Sequence, residues 1–118
     1  MKTLIEKIFE IPDDIRYLAI YRAGKIDSKS KEGTSGASNS ESDKYEELLV
    51  NPTLLLLAKQ RGDIDCGGLN YILISYGNFY QFVFSKPWGH VSVCIEPLAE
   101  PISIGLEAMK VVSEHDSP

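Results

Sequence analysis

The sequence predicts an α+β fold: a five-stranded antiparallel sheet flanked by helices on both faces, in the order α-β-β-α-β-β-β-α. Three observations carry this. Apolar residues recur at helical spacing near the N-terminus, before Gly62 and near the C-terminus. Strand-like runs fill most of the chain between those segments. Most of these runs are joined by turns, which suit antiparallel neighbours and are too short for parallel crossovers.

Leu4, Ile5, Ile8 and Phe9 fall on one side of a short helix, opposite Lys2, Glu6, Lys7 and Glu10. It should stop near Pro12, because the residue before a proline is pushed away from helical angles. In "IRYLAIYR", Ile15, Tyr17, Ala19 and Tyr21 alternate with Arg16, Leu18, Ile20 and Arg22, and "AGK" turns the chain into a weak second strand over 25–28. Residues 28–43 are Ser, Gly, Asn and charge, with too few apolar anchors to offset their ordering entropy; a flexible loop is expected there.

A helix is expected from Ser42 or Asp43. Asn51-Pro52 either kinks it or starts a second helix, with Asn51 as the N-cap, and Gly62 is the natural stop. "LNYILISYGNFYQFVFSKPWGHVSVCIEP" then holds three strands. Gly77-Asn78 reads as a hairpin turn with positive φ, and "KPWG" as the second turn. Val91, Val93 and Ile95 alternate with His90, Ser92, Cys94 and Glu96, as in a half-buried strand. A last helix carries Ile102, Leu106, Met109 and Val112 on one stripe, and 113–118 should fray. The whole of 1–118 is expected to form one domain.

The formal charge of −5 disfavours a nucleic-acid platform, although Lys25, Lys29 and Lys31 form a local basic run. No stretch has the roughly 20 apolar residues of a membrane-spanning helix. "MKTLIEKIFEIPDD" lacks the features of a signal peptide. Two cysteines are too few for a disulfide framework. A cytoplasmic location is the expectation.

The candidate chemistry is thin. Cys66, Cys94, His90 and His115 are the plausible metal ligands, but no C-x-x-C or H-x-x-H spacing is present. His90 and Cys94 lie four residues apart on one strand face, roughly 13 Å at strand rise, too far to share a zinc ion. Cys66, in a Gly-rich loop, could be exposed and reactive and is a candidate for redox chemistry; Cys94 reads as a small core residue. Asp13-Asp14 and Glu46-Glu47 sit where solvation and helix dipoles account for them. Gly67-Gly68 follows no strand and so lacks the setting of a phosphate-binding loop. "RGD" at 61–63 is the end of a helix. No metal, no cofactor and no enzyme activity is expected.

The leucine run is different. Leu54, Leu55, Leu56 and Leu57, about 100° apart on a helix, sweep most of its circumference. One side can pack on the sheet; another is left for a subunit or partner, unless a neighbouring helix covers it. The strand over 69–76 is apolar on both faces and, if it forms an edge, has no proline or lysine to guard it.

With the element order, "YLAIYRAGKI", "LLLLAKQRGDID", "YILISYGNFYQFVF", "GHVSVCIE" and "PISIGLEAMKVV", the chain resembles the roadblock domain family, named for the roadblock-type dynein light chains. The resemblance spans essentially the whole chain and rests on hydrophobic patterning. It implies a non-enzymatic homodimer or heterodimer in which third strands pair edge to edge and second helices lie side by side. Such modules typically act as platforms for small Ras-like GTPases, as scaffold subunits or as motor cargo adaptors. Carried over, Leu54, Leu55, Leu56, Leu57, Ala58, Arg61, Leu69, Tyr71 and Leu73 would form the subunit or partner interface. Pro52 within the helix and the long Ser-rich loop depart from a compact member. The alternative is a profilin-like or PAS-like small-molecule sensor, with Tyr71, Phe79, Tyr80 and Trp88 lining a pocket.

Overall fold

The computed structural model describes residues 3–11, 14–31 and 40–116. Helix α1 (Leu4–Phe9) is followed by β1 (Ile15–Arg22) and β2 (Lys25–Ser30). Helix α2 (Ser40–Tyr45), a π-helical turn (Glu46–Val50) and α3 (Asn51–Asp65) come next. β3 (Ile72–Ser75), β4 (Tyr80–Lys86), β5 (Gly89–Ile95) and α4 (Pro101–Asp116) complete the chain. The strands form one antiparallel sheet in the order β2-β1-β5-β4-β3, the architecture expected from the sequence.

Register assigns the two faces. Leu18, Val93, Phe82 and Leu73 stand side by side across β1, β5, β4 and β3, next to the row Ile20, Val91, Phe84. With Leu4, Ile8, Ala108 and Val112 from α1 and α4 they make the main core. Gly105 lets α4 approach the sheet: a Cβ there would stand 2.2 Å from the Phe82 ring. Ile15 joins this core, and not the Tyr17 face that strict alternation gives it, because β1 shifts register against β5 between Ile15 and Tyr17. The other face carries Ala19, Ser92, Val83 and Ile72 in one row and Tyr17, Cys94, Gln81 and Ile74 in the next; α3 lies over this face at β4.

Several local expectations are corrected. β5 is buried on both faces, not half-buried: His90, Ser92 and Cys94 are as enclosed as the valines between them. The positive-φ hairpin turn is Ala23-Gly24 (φ 52 and 82), while Gly77 and Asn78 have no positive φ. There the carbonyl of Phe79 accepts from the Tyr76 N–H at 2.9 Å, and Arg16 donates to the Asn78 carbonyl at 2.9 Å. α4 continues through Ser113 to Asp116, whose carboxylate is engaged by Trp88 and Lys86. Of the loop expected over 28–43, Ser28–Ser30 belong to β2 and Ser40–Asp43 to α2; 32–39 lie outside the described residues.

Pro52 neither starts a new helix nor breaks the old one. Asn51 is itself helical (φ −64, ψ −47), and its N–H bonds to the carbonyl of Glu46. A proline ring crowds the carbonyl four residues back and removes a donor. Widening the preceding turn from α to π accommodates both, and the helical path runs on from Ser40 to Asp65. Nor does Gly62 end it. Gly62 is buried in the helix because the returning chain passes close by: a Cβ on it would sit 2.9 Å from the Gly68 carbonyl oxygen. The helix ends three residues later, where Gly67 and Gly68 take φ 80 and 96.

Candidate functional site

The π turn sets what α3 shows to the sheet and to solvent. Asn51, Leu55, Ala58 and Gly62, spaced four, three and four apart, form the inward stripe of α3. Glu47, one turn earlier, is also turned inward and is 1% exposed. Leu48 and Leu49 are consequently outside, at 48% and 56% exposure. The inner side of this helix is thus partly polar and its outer side apolar.

The inner polar groups form a connected cluster. Glu47 Oε1 lies 2.8 Å from His90 Nε2 and accepts from Asn51 Nδ2 at 3.1 Å. Asn51 Nδ2 also points to Ser92 Oγ at 3.5 Å, which accepts from Gln81 Nε2. Tyr21 stacks on the His90 ring, 5.3 Å between centroids and nearly parallel. All five polar side chains are buried; among the described residues Asn51 Oδ1 and Gln81 Oε1 have no partner. The cluster ties the π turn and α3 to β4 and β5, across sequence separations that no linear motif signals.

The outer surface holds four of the nine residues expected at an interface: Leu54, Leu56, Leu57 and Arg61. Leu56 and Leu57 are more than half exposed and Leu54 lies at the boundary; Leu55 instead turns inward and is buried. Ala58 and Leu69 are half-buried. Arg61 is exposed and pairs with Asp65 at 2.6 Å, so the RGD tripeptide is helical and its arginine is spoken for. Tyr71 and Leu73 face the α4 side: Tyr71 stacks on Phe82 at 4.5 Å, and Leu73 stands opposite Phe82. Sequence reasoning missed Leu48, Leu49 and Ile64, all exposed; Ile72 and Ile74, inside the expected two-faced apolar strand over 69–76, face the α3 side of β3. Ile64 was legible, being seven residues after Leu57 and on the same line of the helix. Leu48 and Leu49 were not, because their orientation depends on the π turn.

β3 occupies one end of the sheet, and among the described residues nothing pairs with its outer edge. Its end is fastened to the helix by Tyr76, whose hydroxyl donates to Glu46 at 3.0 Å. Burial, and secondarily the Glu46 carboxylate, push that hydroxyl's pKa up to about 12. The Asp65 carboxyl is held below its usual range by the hydrogen bond from Arg61 and then by that from Cys66.

The other candidate chemistries are not assembled. Among the described residues no three His, Cys, Asp or Glu side chains converge to hold a metal ion. Cys66 is exposed and donates to Asp65 Oδ1 at 3.3 Å; Cys94 is buried. Phe79 and Trp88 bracket β4, whose seven residues span roughly 23 Å. Tyr71 is stacked on Phe82, and Tyr80 packs against the core. The aromatic set proposed for a sensor pocket is therefore dispersed. No helix among the described residues is long and apolar enough to cross a membrane.

No protein-family model and no curated protein matches the sequence. Solved structures do match the fold. A Roadblock/LC7 domain from Streptomyces avermitilis superposes with a TM-score of 0.70 at 13% identity, covering 94% of this chain and 90% of that one. MglC from Myxococcus xanthus does so with a TM-score of 0.53 at 12% identity, covering 94% and 95%. At these identities the likeness concerns architecture alone, and on that evidence the chain has a roadblock-type fold.

Proposed function

We propose that this protein is a non-catalytic, dimeric protein-interaction module, cytoplasmic in location, whose subunit seam is built from α3 and the edge of β3. The observation that carries the reading is the outward apolar stripe of Leu56, Leu57 and Ile64, beside an unpaired and unguarded edge strand. In a two-fold dimer two β3 edges would pair antiparallel and two α3 helices would lie together, since one patch serves both subunits. Leu54, Ala58 and Arg61 would form the flank of that seam. Leu69, Tyr71 and Leu73 would contribute through the strand and its approach. Leu55 supports α3 from beneath.

The paired helices would then present a continuous surface to further proteins. The roadblock-type fold makes a small Ras-like GTPase the first partner to test, with scaffold proteins next.

Light scattering over a dilution series tests the seam. Wild type should have twice the 13.1 kDa chain mass, and Leu56→Glu should dissociate at concentrations where wild type holds together. A wild type that stays monomeric, folded and soluble at tens of micromolar refutes the homodimer. Titration with purified Ras-like GTPases in GDP- and GTP-bound forms tests the partner.

A further inference from the structure

The sheet face opposite α3 is incompletely covered. α4 lies over β4 and β5, and α1 lies beside α4 and reaches β1, while β2 meets α1 where Lys29 lies over Phe9. The result is a cleft of about 750 Å³ between the start of α1, the β1–β2 hairpin and the end of α4. Leu4 and Ile20 are buried and Ile5 is half-buried, and together they give the cleft an apolar floor.

Its rim is basic. Strand register puts Arg22 opposite Lys25 and Leu18 opposite Lys29, so Arg22, Lys25 and Lys29 share one side of the hairpin. Among the described residues none of the three is within ion-pair distance of a carboxylate. Arg22 lies over the Trp88 ring at 4.2 Å, and Lys29 over the Phe9 ring at 5.2 Å. Asp27, between the two lysines on the strand, is, among the described residues, the one acid lining the cleft, against three cations. A fourth cation, Lys7, approaches the rim by donating to His115 Nδ1 at 3.1 Å. Three lining cations against one acid, on a chain of net charge −5, create a local positive field against the background.

We propose that this cleft binds a small amphipathic anion, its apolar body on Leu4, Ile5 and Ile20 and its phosphate or carboxylate head between Arg22, Lys25 and Lys29. The volume falls within the roughly 300–1,000 Å³ of small-molecule sites. A bare inorganic anion would leave the floor hydrated, and a neutral apolar ligand would leave the rim unanswered. The cleft lies away from α3 and the β3 edge, so the site stands or falls independently of the dimer.

Calorimetric titration of the full chain with octyl phosphate, below the concentration at which it forms micelles, tests the proposal. Saturable binding is expected for octyl phosphate and not for octanol, octyltrimethylammonium or inorganic phosphate. Lys25→Glu/Lys29→Glu alters two exposed side chains of an edge strand; with an unchanged circular-dichroism spectrum, it should weaken binding by about tenfold or more, the scale of one charge-assisted contact. Leu56→Glu should leave binding intact. No saturable heat, equal binding of octanol or the ammonium probe, or indifference to the double charge reversal would each overturn the assignment. So would binding to phosphatidylglycerol vesicles with none to monomeric octyl phosphate, which would indicate a membrane-facing surface.

Discussion

The contact between Glu47 and His90 predicts a large and strongly non-additive stability effect. Their side chains are 1% and 4% exposed and meet at 2.8 Å. Replacing one partner leaves the other buried without its counterpart, and such losses run to about 3–5 kcal/mol. Glu47→Leu also strips Asn51 Nδ2 of its nearer acceptor, leaving only Ser92 Oγ at 3.5 Å. Glu47→Gln keeps a carbonyl oxygen for Asn51 and His90 and should cost roughly 1–2 kcal/mol, about one compromised buried hydrogen bond. His90→Phe preserves a flat ring against Tyr21 and should cost about as much as Glu47→Leu. The double variant removes both polar groups together. It should recover most of the loss, because exchanging a buried pair for apolar residues of similar volume is often close to neutral. Urea unfolding followed by circular dichroism at one fixed protein concentration measures wild type and the four variants, so that any association is held constant. Coupling of about 2–3 kcal/mol or more is expected from the cycle. Single variants that each cost under about 1 kcal/mol, or a cycle that closes additively, would refute the idea that this cluster fastens the π turn to the sheet.

Gly105→Ala would place a methyl group 2.2 Å from the Phe82 ring. The gain in helix propensity, about 1 kcal/mol, should be outweighed by overpacking of about 1–3 kcal/mol or more, seen as a lower thermal midpoint; a higher midpoint would mean that α4 is free to retreat. The Tyr76 hydroxyl ionises near 12 in the folded protein against an ordinary value of 10.0. Its contribution is therefore fully present below pH 10 and lost as pH rises toward 12. Solvent screening at this partly exposed site makes the effect much smaller than the full shift implies. Tyr76→Phe should flatten that alkaline loss in urea midpoints measured from pH 8 to 11, and an unchanged slope would contradict it.

Element order and sheet type were legible because periodicity reports which side of a segment is apolar, and in α1 that side faces the core; in α4 the expected stripe holds only in part, since Ile102 and Leu106 are exposed and Gly105, Ala108 and Val112 are the residues buried. What escaped came from tertiary partners. β5 read as half-buried because His90 and Ser92 are polar, yet polar groups are buried at little cost once paired, and Glu47, Asn51 and Gln81 pair them. At Asn51-Pro52 the local preference left a fresh start and a single interrupted helix both open; the structure keeps one helical path and uses the Asn51 side chain to hold Glu47 and Ser92. Gly77-Asn78 read as a positive-φ turn, but Arg16, 62 residues away, fixes the Asn78 carbonyl. Of the candidate interface, the exposed leucines of α3 were visible as a run. The inward turn of Leu55 followed only from knowing which residues meet β4, and Tyr71 and Leu73 could be assigned a face only with the register.

The two ends of the sheet argue for where this protein meets others. β2, one edge, carries Lys25, Asp27 and Lys29, charges of the kind that discourage strand addition. β3, the other, offers Ile72, Leu73 and Ile74 with no charge among them. Beside β3, the helix buries Glu47 and Asn51 while Leu48, Leu49, Leu54, Leu56 and Leu57 face water. A monomer evolved to stand alone would gain by the reverse arrangement. Burying the remaining surface of a half-exposed leucine returns roughly 1 kcal/mol, about half its full transfer value. Five such residues on each of two subunits then supply on the order of 10 kcal/mol, comparable with the roughly 4–15 kcal/mol that association costs. Backbone bonds between two β3 edges would add to that sum. The inverted helix and the unguarded edge meet at one place, joined by the Tyr76–Glu46 hydrogen bond, and in the proposed dimer a second copy of the chain would cover both at once.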